Sequence, residues 1–196
     1  MVYKIAVTGG IGSGKSLALS VAKELKLKCF SCDKIARTIY RDQSMRDRVR
    51  ELFGDGVFSS DGRVLRKRLA KIVFSDKSEL KKLNALTHSA IIAKLNDLMS
   101  AVRGICVVEV PLLFECKLEN DFDMVIVVLR DLNSRIKSVT ERDGISADEV
   151  IKRVKNQFDY AKLDKNAHTI ICNDGSIDEL RDKLRYVFET VKNKIG

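Results

Sequence analysis

The sequence predicts an α/β fold built on a five-stranded parallel sheet. Three observations lead there. An apolar N-terminal strand runs straight into a glycine-rich turn and then a helix. Two apolar runs in the middle of the chain, 105–108 and 124–129, lack the alternation of a half-exposed strand. Strand and helix signals alternate from one end to the other, the pattern of right-handed crossovers in a parallel sheet.

Taken in order, residues 2–8 (Val-Tyr-Lys-Ile-Ala-Val-Thr) read as a buried strand. Leu17, Ala18, Val21, Ala22 and Leu25 then repeat at helical spacing. A second short strand at about 28–31 precedes Asp33, and helical stretches continue to about residue 53. Residues 53–62, rich in glycine and aspartate, read as a loop. Residues 63–101 are expected to be mostly helical, with Leu69, Ile72 and Val73 on one face and Leu80, Leu83 and Leu86 on another. The runs at 105–108 and 124–129 are central strands, a fifth strand precedes Asn173-Asp-Gly175, and the last helix carries Leu180, Leu184, Val187, Phe188, Val191 and Ile195 as an apolar stripe.

The 196 residues suit one substantial core with appended segments. With 45% hydrophobic and 32% charged residues and no low-complexity tract, the chain has the composition of a globular protein. The N-terminus shows no apolar signal-peptide segment and no run long enough to span a bilayer, so a cytosolic protein without a membrane partner is expected. Five cysteines in no framework pattern fit a reducing compartment. Cys29-Phe-Ser-Cys32 has neither a second cysteine pair nor a histidine cluster to complete a zinc site, and reads as structural. A net charge of +9 admits nucleic acid, an anionic membrane or polyanionic small substrates without choosing among them. Nothing in the sequence sets an oligomeric state.

The strongest chemical signal is Gly9-Gly-Ile-Gly-Ser-Gly14-Lys15-Ser16, a G-x-x-x-x-G-K-S loop in strand–loop–helix context. Its backbone N–H groups at Gly10, Ile11, Gly12, Ser13 and Gly14, with those opening the helix through Leu17, would wrap the phosphates of ATP. Lys15 would reach the β- and γ-phosphates and Ser16 would ligate Mg²⁺.

No Asn-Lys-x-Asp sequence points to a guanine switch protein, and motors and helicases usually need a longer chain. A compact basic chain suits a small-molecule kinase, whose cationic lid closes over phosphates. Asp33 follows the second strand and is expected at the sheet edge that carries the phosphate loop. It reads equally as the base for an attacking hydroxyl or as the cap of the helix that follows. Arg63, Arg66, Lys67, Arg68 and Lys71 form a basic helix face. No aromatic stacking series accompanies it, so no nucleic-acid partner is expected.

Further motifs follow in order: Asp33-Lys-Ile-Ala-Arg37, Phe53-Gly54, Asp61-Gly62 with Arg66 and Leu69, Leu83-Asn84 with His88, Pro111-Leu-Leu-Phe-Glu115, then Arg142, Arg153, Gln157 and Asn173. With Thr8-Gly-Gly-Ile-Gly-Ser-Gly-Lys-Ser16 they resemble the dephospho-CoA kinase family over nearly the whole chain. The resemblance implies a single domain with the three-layer P-loop NTPase fold. Its core would span about 1–35, 103–130 and 166–196, its helical substrate-binding region about 36–102, and its helical lid about 131–165. It implies transfer of the γ-phosphoryl of ATP to the ribose 3′-hydroxyl of dephospho-CoA, the last step of coenzyme A synthesis. Asp33 would be the base, with Thr8, Arg37, Arg66, His88, Pro111 and Leu112 on the acceptor side. Arg142 in the lid, Arg135 and Asn173 would serve ATP, with Lys15 and Arg142 acting in catalysis.

The chain departs from the family pattern at several positions. Ser31-Cys32-Asp33 stands where the family commonly has Asp-Ala-Asp, removing one carboxylate, and Ser89 replaces a proline after His88. The lid's usual Gln-x-x-Arg appears as Arg135-Ile-Lys-Ser138, which makes Arg135 the candidate for ATP. Glu109 ends a strand where the family often has Asp, as an acidic partner for the Mg²⁺ site. His168 opens an apolar strand and reads as structural.

Overall fold

The computed structural model describes residues 1–164 and 168–195. The boundary expected near 165 between lid and core lies outside the described residues. In chain order the elements are β1 (Val2–Thr8), α1 (Lys15–Glu24), β2 (Lys28–Ser31), α2 (Cys32–Thr38), α3 (Gln43–Phe53), α4 (Arg66–Ser75), α5 (Lys77–Ser100), β3 (Gly104–Glu109), β4 (Met124–Leu129), α6 (Leu132–Asp143), α7 (Ala147–Lys155), β5 (Thr169–Cys172) and α8 (Ile177–Ile195). All five expected strands are present and form one parallel sheet in the order β2-β3-β1-β4-β5.

The chain divides into two compact units, Met1–Ser31 with Ala101–Gly196, and Cys32–Ser100. In the first, β1 is the central strand, and consecutive residues Ile5, Ala6, Val7 and Thr8 are all fully buried. Burial on both faces is why the strand sequences are continuously apolar. α1 and α8 share one face of the core: Ala18, Leu19, Val21 and Ala22 pack with Leu180, Leu184, Phe188 and Val191 over Ile5, Val7, Val107, Ile126 and Val128. The i, i+4, i+8 spacing of Leu180, Leu184 and Phe188 sets that stripe, and burying each such side chain stabilises by about 1.5–3 kcal/mol. Ile195, the last residue of the stripe, is exposed.

Register aligns the ends of three strands. Val7 of β1 pairs with Glu109 of β3, and Glu109 pairs with Ser31 of β2. These residues lie in one row across the sheet, so the chain leaving β1 and the chain leaving β2 emerge at one edge.

The second unit is helical. Asp42 caps α3 by accepting from the Ser44 N–H at 3.2 Å, and α3 buries Met45 and Val49, one helical turn apart. α4 buries Leu69 and Val73 but leaves Ile72 exposed, so its inward face is the narrower i, i+4 row. α5 buries Leu86, Leu95 and Met99. The expected loop at 53–62 is more ordered than its composition suggested. It holds a short 3₁₀ turn at Asp55–Val57 and an antiparallel bridge between Phe58 and Val64. Val57 and Phe58 are buried, and the Arg50 guanidinium stacks 4.3 Å over the Phe58 ring.

All five cysteines, including Cys29 and Cys32, are free thiols. Among the described residues no helix is long and apolar enough to cross a membrane.

Candidate active site

β1 delivers the chain into Gly9 at the sheet edge. Gly9 has φ 144°, and a Cβ there would collide with the Val128 carbonyl of neighbouring β4, so only glycine lets the loop turn so close to the sheet. Gly14, with φ 106° in the left-handed region, starts α1 without any side-chain cap, and no acidic residue stands in the first turn. The contrast with other helices is direct: Asp42, Asp131 and Ser146 cap α3, α6 and α7. The N-terminus of α1 therefore presents an uncapped positive dipole end to an anion.

Lys15 Nζ donates to the carbonyls of Gly9 at 2.6 Å and Gly10 at 2.9 Å, so the ammonium folds back over the loop. The Leu17 N–H closes the first helical turn on the Gly14 carbonyl at 3.0 Å, and its side chain packs on the core. Ser13 is buried, and its hydroxyl has no hydrogen-bond partner among the described residues.

Long-range contacts from four residues brace the loop from outside. Asn173, buried just past β5, donates its amide to the Ser13 carbonyl at 2.8 Å, while its own N–H holds the Leu129 carbonyl at 2.8 Å. Arg135, in the first turn of α6, donates Nε to the Ile11 carbonyl at 2.8 Å, and its guanidinium lies over Gly10. Gln157, after α7, accepts from the Ile11 N–H at 2.9 Å. Burial holds the Arg135 pKa below its ordinary value. Arg130, at the end of β4, donates to the Ser138 hydroxyl at 2.8 Å and approaches the Gly12 carbonyl at 3.5 Å. A guanidinium thus stands beside Ser138, the position where the lid motif lacks its arginine. Arg130 acts on the loop across 118 residues of sequence with no local pattern to announce it, and Gln157, marked in the sequence only through the family resemblance, acts across 146.

Beside the loop, Glu109 is a nearly buried carboxylate at the end of β3. Its Oε1 accepts from the Ser16 hydroxyl at 3.2 Å and its Oε2 from the Ser31 hydroxyl at 3.1 Å. The Ser16 hydroxyl and the Glu109 carboxylate are hard oxygens of the kind that suits Mg²⁺. Among the described residues no group of three or more His, Cys, Asp or Glu side chains gathers, so an ion here would draw its remaining ligands from phosphates and water.

Asp33 is the second residue of α2, in the second unit. It is exposed, and among the described residues its carboxylate accepts no backbone hydrogen bond, unlike the capping aspartates 42, 131 and 159. The capping alternative therefore falls. In the same unit Arg66 donates to the Arg37 carbonyl and stacks over the Tyr40 ring at 5.2 Å, while His88 lies half-buried on α5.

Pro111 and Leu112 open the turn after β3, with Leu112 exposed and Leu113 fully buried. Two residues on, Phe114 meets Phe158 at 4.6 Å, Tyr160 at 6.1 Å and His168 at 5.3 Å, which gives His168 a packing role. Glu115 accepts from the Phe158 N–H at 2.7 Å. Burial raises the Tyr160 pKa; this phenol stands near Thr8, whose buried hydroxyl makes no well-formed hydrogen bond among the described residues. Arg142 lies seven residues, about 10 Å, along α6 from Arg135. It is exposed and pairs bidentately with Asp143 at 2.7 and 2.9 Å.

An anion loop backed by a lysine, with one hydroxyl–carboxylate pair at its side, suits phosphoryl transfer, a reaction for which protein supplies position and charge. The class is that of the P-loop kinases. The dephospho-CoA kinase family model matches residues 3–179, and the chain belongs to that family of ATP-dependent kinases, whose reaction is the last step of coenzyme A biosynthesis. A dephospho-CoA kinase from Chlorobaculum tepidum is 35% identical over 196 residues, covering 95% of this chain and 94% of that protein. The solved dephospho-CoA kinase from Campylobacter jejuni is 28% identical, with a TM-score of 0.71 over 98% of both chains. A solved protein from Thermus thermophilus is 29% identical, with a TM-score of 0.81, covering 96% of this chain and 97% of that one.

Proposed function

We propose that Asp33 takes the proton from the ribose 3′-hydroxyl of dephospho-CoA while the loop at 9–16 holds ATP for in-line transfer. One observation carries the assignment: Val7, Glu109 and Ser31 share a row of the sheet, the phosphate loop starts two residues after Val7, and Asp33 follows two residues after Ser31. Two residues of chain span at most about 7 Å, so Asp33 is tethered close to the end of β2. An exposed carboxylate without a capping duty is available to accept a proton.

In this scheme Lys15 leaves the Gly9 and Gly10 carbonyls for the β- and γ-phosphates. Ser16 and Glu109 would hold Mg²⁺, which would supply neutralisation of phosphate charge. Asn173 and Gln157 keep the loop in shape, Arg135 guards its rim, and Arg142 exchanges Asp143 for phosphate when the lid at 131–165 closes. Arg37, Arg66 and His88, with Thr8, Pro111 and Leu112, are the residues we assign to the acceptor. The basic face of α4 then serves a phosphorylated small molecule rather than nucleic acid, and the enzyme works on two soluble substrates in the cytoplasm.

The test is ADP release from ATP with Mg²⁺, measured in parallel against dephospho-CoA, AMP, nucleosides and a polynucleotide. Stimulation by dephospho-CoA, with CoA as product, is expected. Stimulation by another acceptor and none by dephospho-CoA would overturn the acceptor assignment.

A further inference from the structure

The Ser31 hydroxyl has no part in the scheme above, yet it makes one of the few buried side-chain hydrogen bonds at the sheet edge. The geometry points to Ser31 as a positioning residue for the metal site: we infer that it fixes the Glu109 carboxylate in the one orientation that turns Oε1 toward Ser16. This inference rests on the placement of Mg²⁺ at Ser16 and Glu109.

Glutamate has three side-chain torsions, and a carboxylate at the mouth of a loop has many orientations available to it. Here each oxygen is engaged by its own hydroxyl. Oε1 takes the Ser16 hydroxyl at 3.2 Å, and Oε2 takes the Ser31 hydroxyl at 3.1 Å. Ser31 is 5% exposed and Glu109 9%, so the Ser31 bond is shielded from water, where a charge-assisted hydrogen bond is strong. Ser16 could offer a cation a lone pair of Oγ while its O–H still donates to Oε1, and Ser31 holds the other oxygen, Oε2, through its own hydroxyl.

The hydroxyl is not needed to hold the strands together. β2 and β3 already pair through their backbones from Lys28↔Cys106 to Ser31↔Glu109. A donor at position 31 also adds no second negative charge beside Glu109, so the protein offers the ion a single carboxylate. Outer hydrogen bonds of this kind orient ligands, and removing one typically weakens metal binding by roughly 10–100-fold.

The experiment uses the full chain, a non-hydrolysable ATP analogue, and Mn²⁺ as the probe, with free Mn²⁺ read by electron paramagnetic resonance. Ser31→Ala is expected to weaken Mn²⁺ binding to the nucleotide complex by about tenfold or more, while the affinity for the nucleotide in EDTA stays near wild type and the chain remains folded. Ser31→Thr, which keeps the hydroxyl, should restore the metal affinity, and Glu109→Gln should weaken it at least as much as Ser31→Ala. Wild-type Mn²⁺ affinity in Ser31→Ala beside a weakened Glu109→Gln overturns the role of Ser31 and leaves the metal placement intact. Wild-type Mn²⁺ affinity in Glu109→Gln overturns the metal placement itself. Equal losses in Ser31→Ala and Ser31→Thr would mark the effect as packing and overturn the positioning role.

Discussion

Replacing Asn173 by alanine isolates the brace under the phosphate loop. The side chain is buried, its amide donates to the Ser13 carbonyl at 2.8 Å, and no charge is involved. Truncation leaves a buried carbonyl without its donor, which costs about 1–3 kcal/mol. For a chain of this length each kcal/mol lowers the melting temperature by about 2–4 °C, so Asn173→Ala should melt about 2–12 °C below wild type without any ligand. ATP affinity should fall as well, because the peptide at Ser13 lies inside the loop that we propose wraps the phosphates. Calorimetry on the ligand-free protein and titration with ATP read the two effects separately. A loss of ATP affinity with an unchanged ligand-free melting temperature would mean that Asn173 contacts the nucleotide and does not brace the loop.

Two further outcomes follow from the same geometry. Glu115→Ala removes the acceptor of the Phe158 N–H, next to the Gln157 side chain that holds Ile11, so amide exchange around 156–161 should quicken and ATP affinity should drop about three- to tenfold; Glu115→Gln, which keeps an acceptor oxygen, should fall between. Unchanged exchange in Glu115→Ala would show that the contact does not hold the segment. Cys106 is fully enclosed on β3, and burial pushes its thiol up to about 11 from an ordinary value near 9. The folded state keeps that proton where the unfolded chain has lost it, so this contribution to stability is complete below pH 9 and disappears as the pH rises to about 11. Cys106→Ala should melt lower overall but show a flatter decline between pH 9 and 11 than wild type; parallel declines would contradict the shift.

The sheet was legible because parallel strands covered on both faces leave an uninterrupted apolar signature, as at Val107–Val108 and Ile126–Val128. The phosphate loop was legible because its chemistry demands glycine, lysine and serine at fixed spacing within one short stretch. What escaped the sequence is held by contacts far apart in it. Nothing near Gln157 or Arg130 reveals that each reaches the loop, and Ser31, which reads only as a missing carboxylate, proves to be a donor to Glu109. The order at 55–64 comes from burial of Val57 and of Phe58, the latter under Arg50, which outweighs the turn preference of the surrounding glycines and aspartates. Asp33 is ambiguous in the sequence because caps and catalytic carboxylates use the same side chain at the same end of a helix; its place within α2, without a backbone donor among the described residues, speaks against the cap alone.

Single-turnover transfer by Asp33→Asn, with ATP affinity measured alongside, bears most directly on the proton acceptor. The amide has nearly the shape of the carboxylate but cannot take the proton. ATP should bind as in wild type while the transfer step slows by roughly 10²–10⁴-fold. A transfer rate close to wild type would remove Asp33 from the chemistry and leave the chain leaving β2 without a role in it.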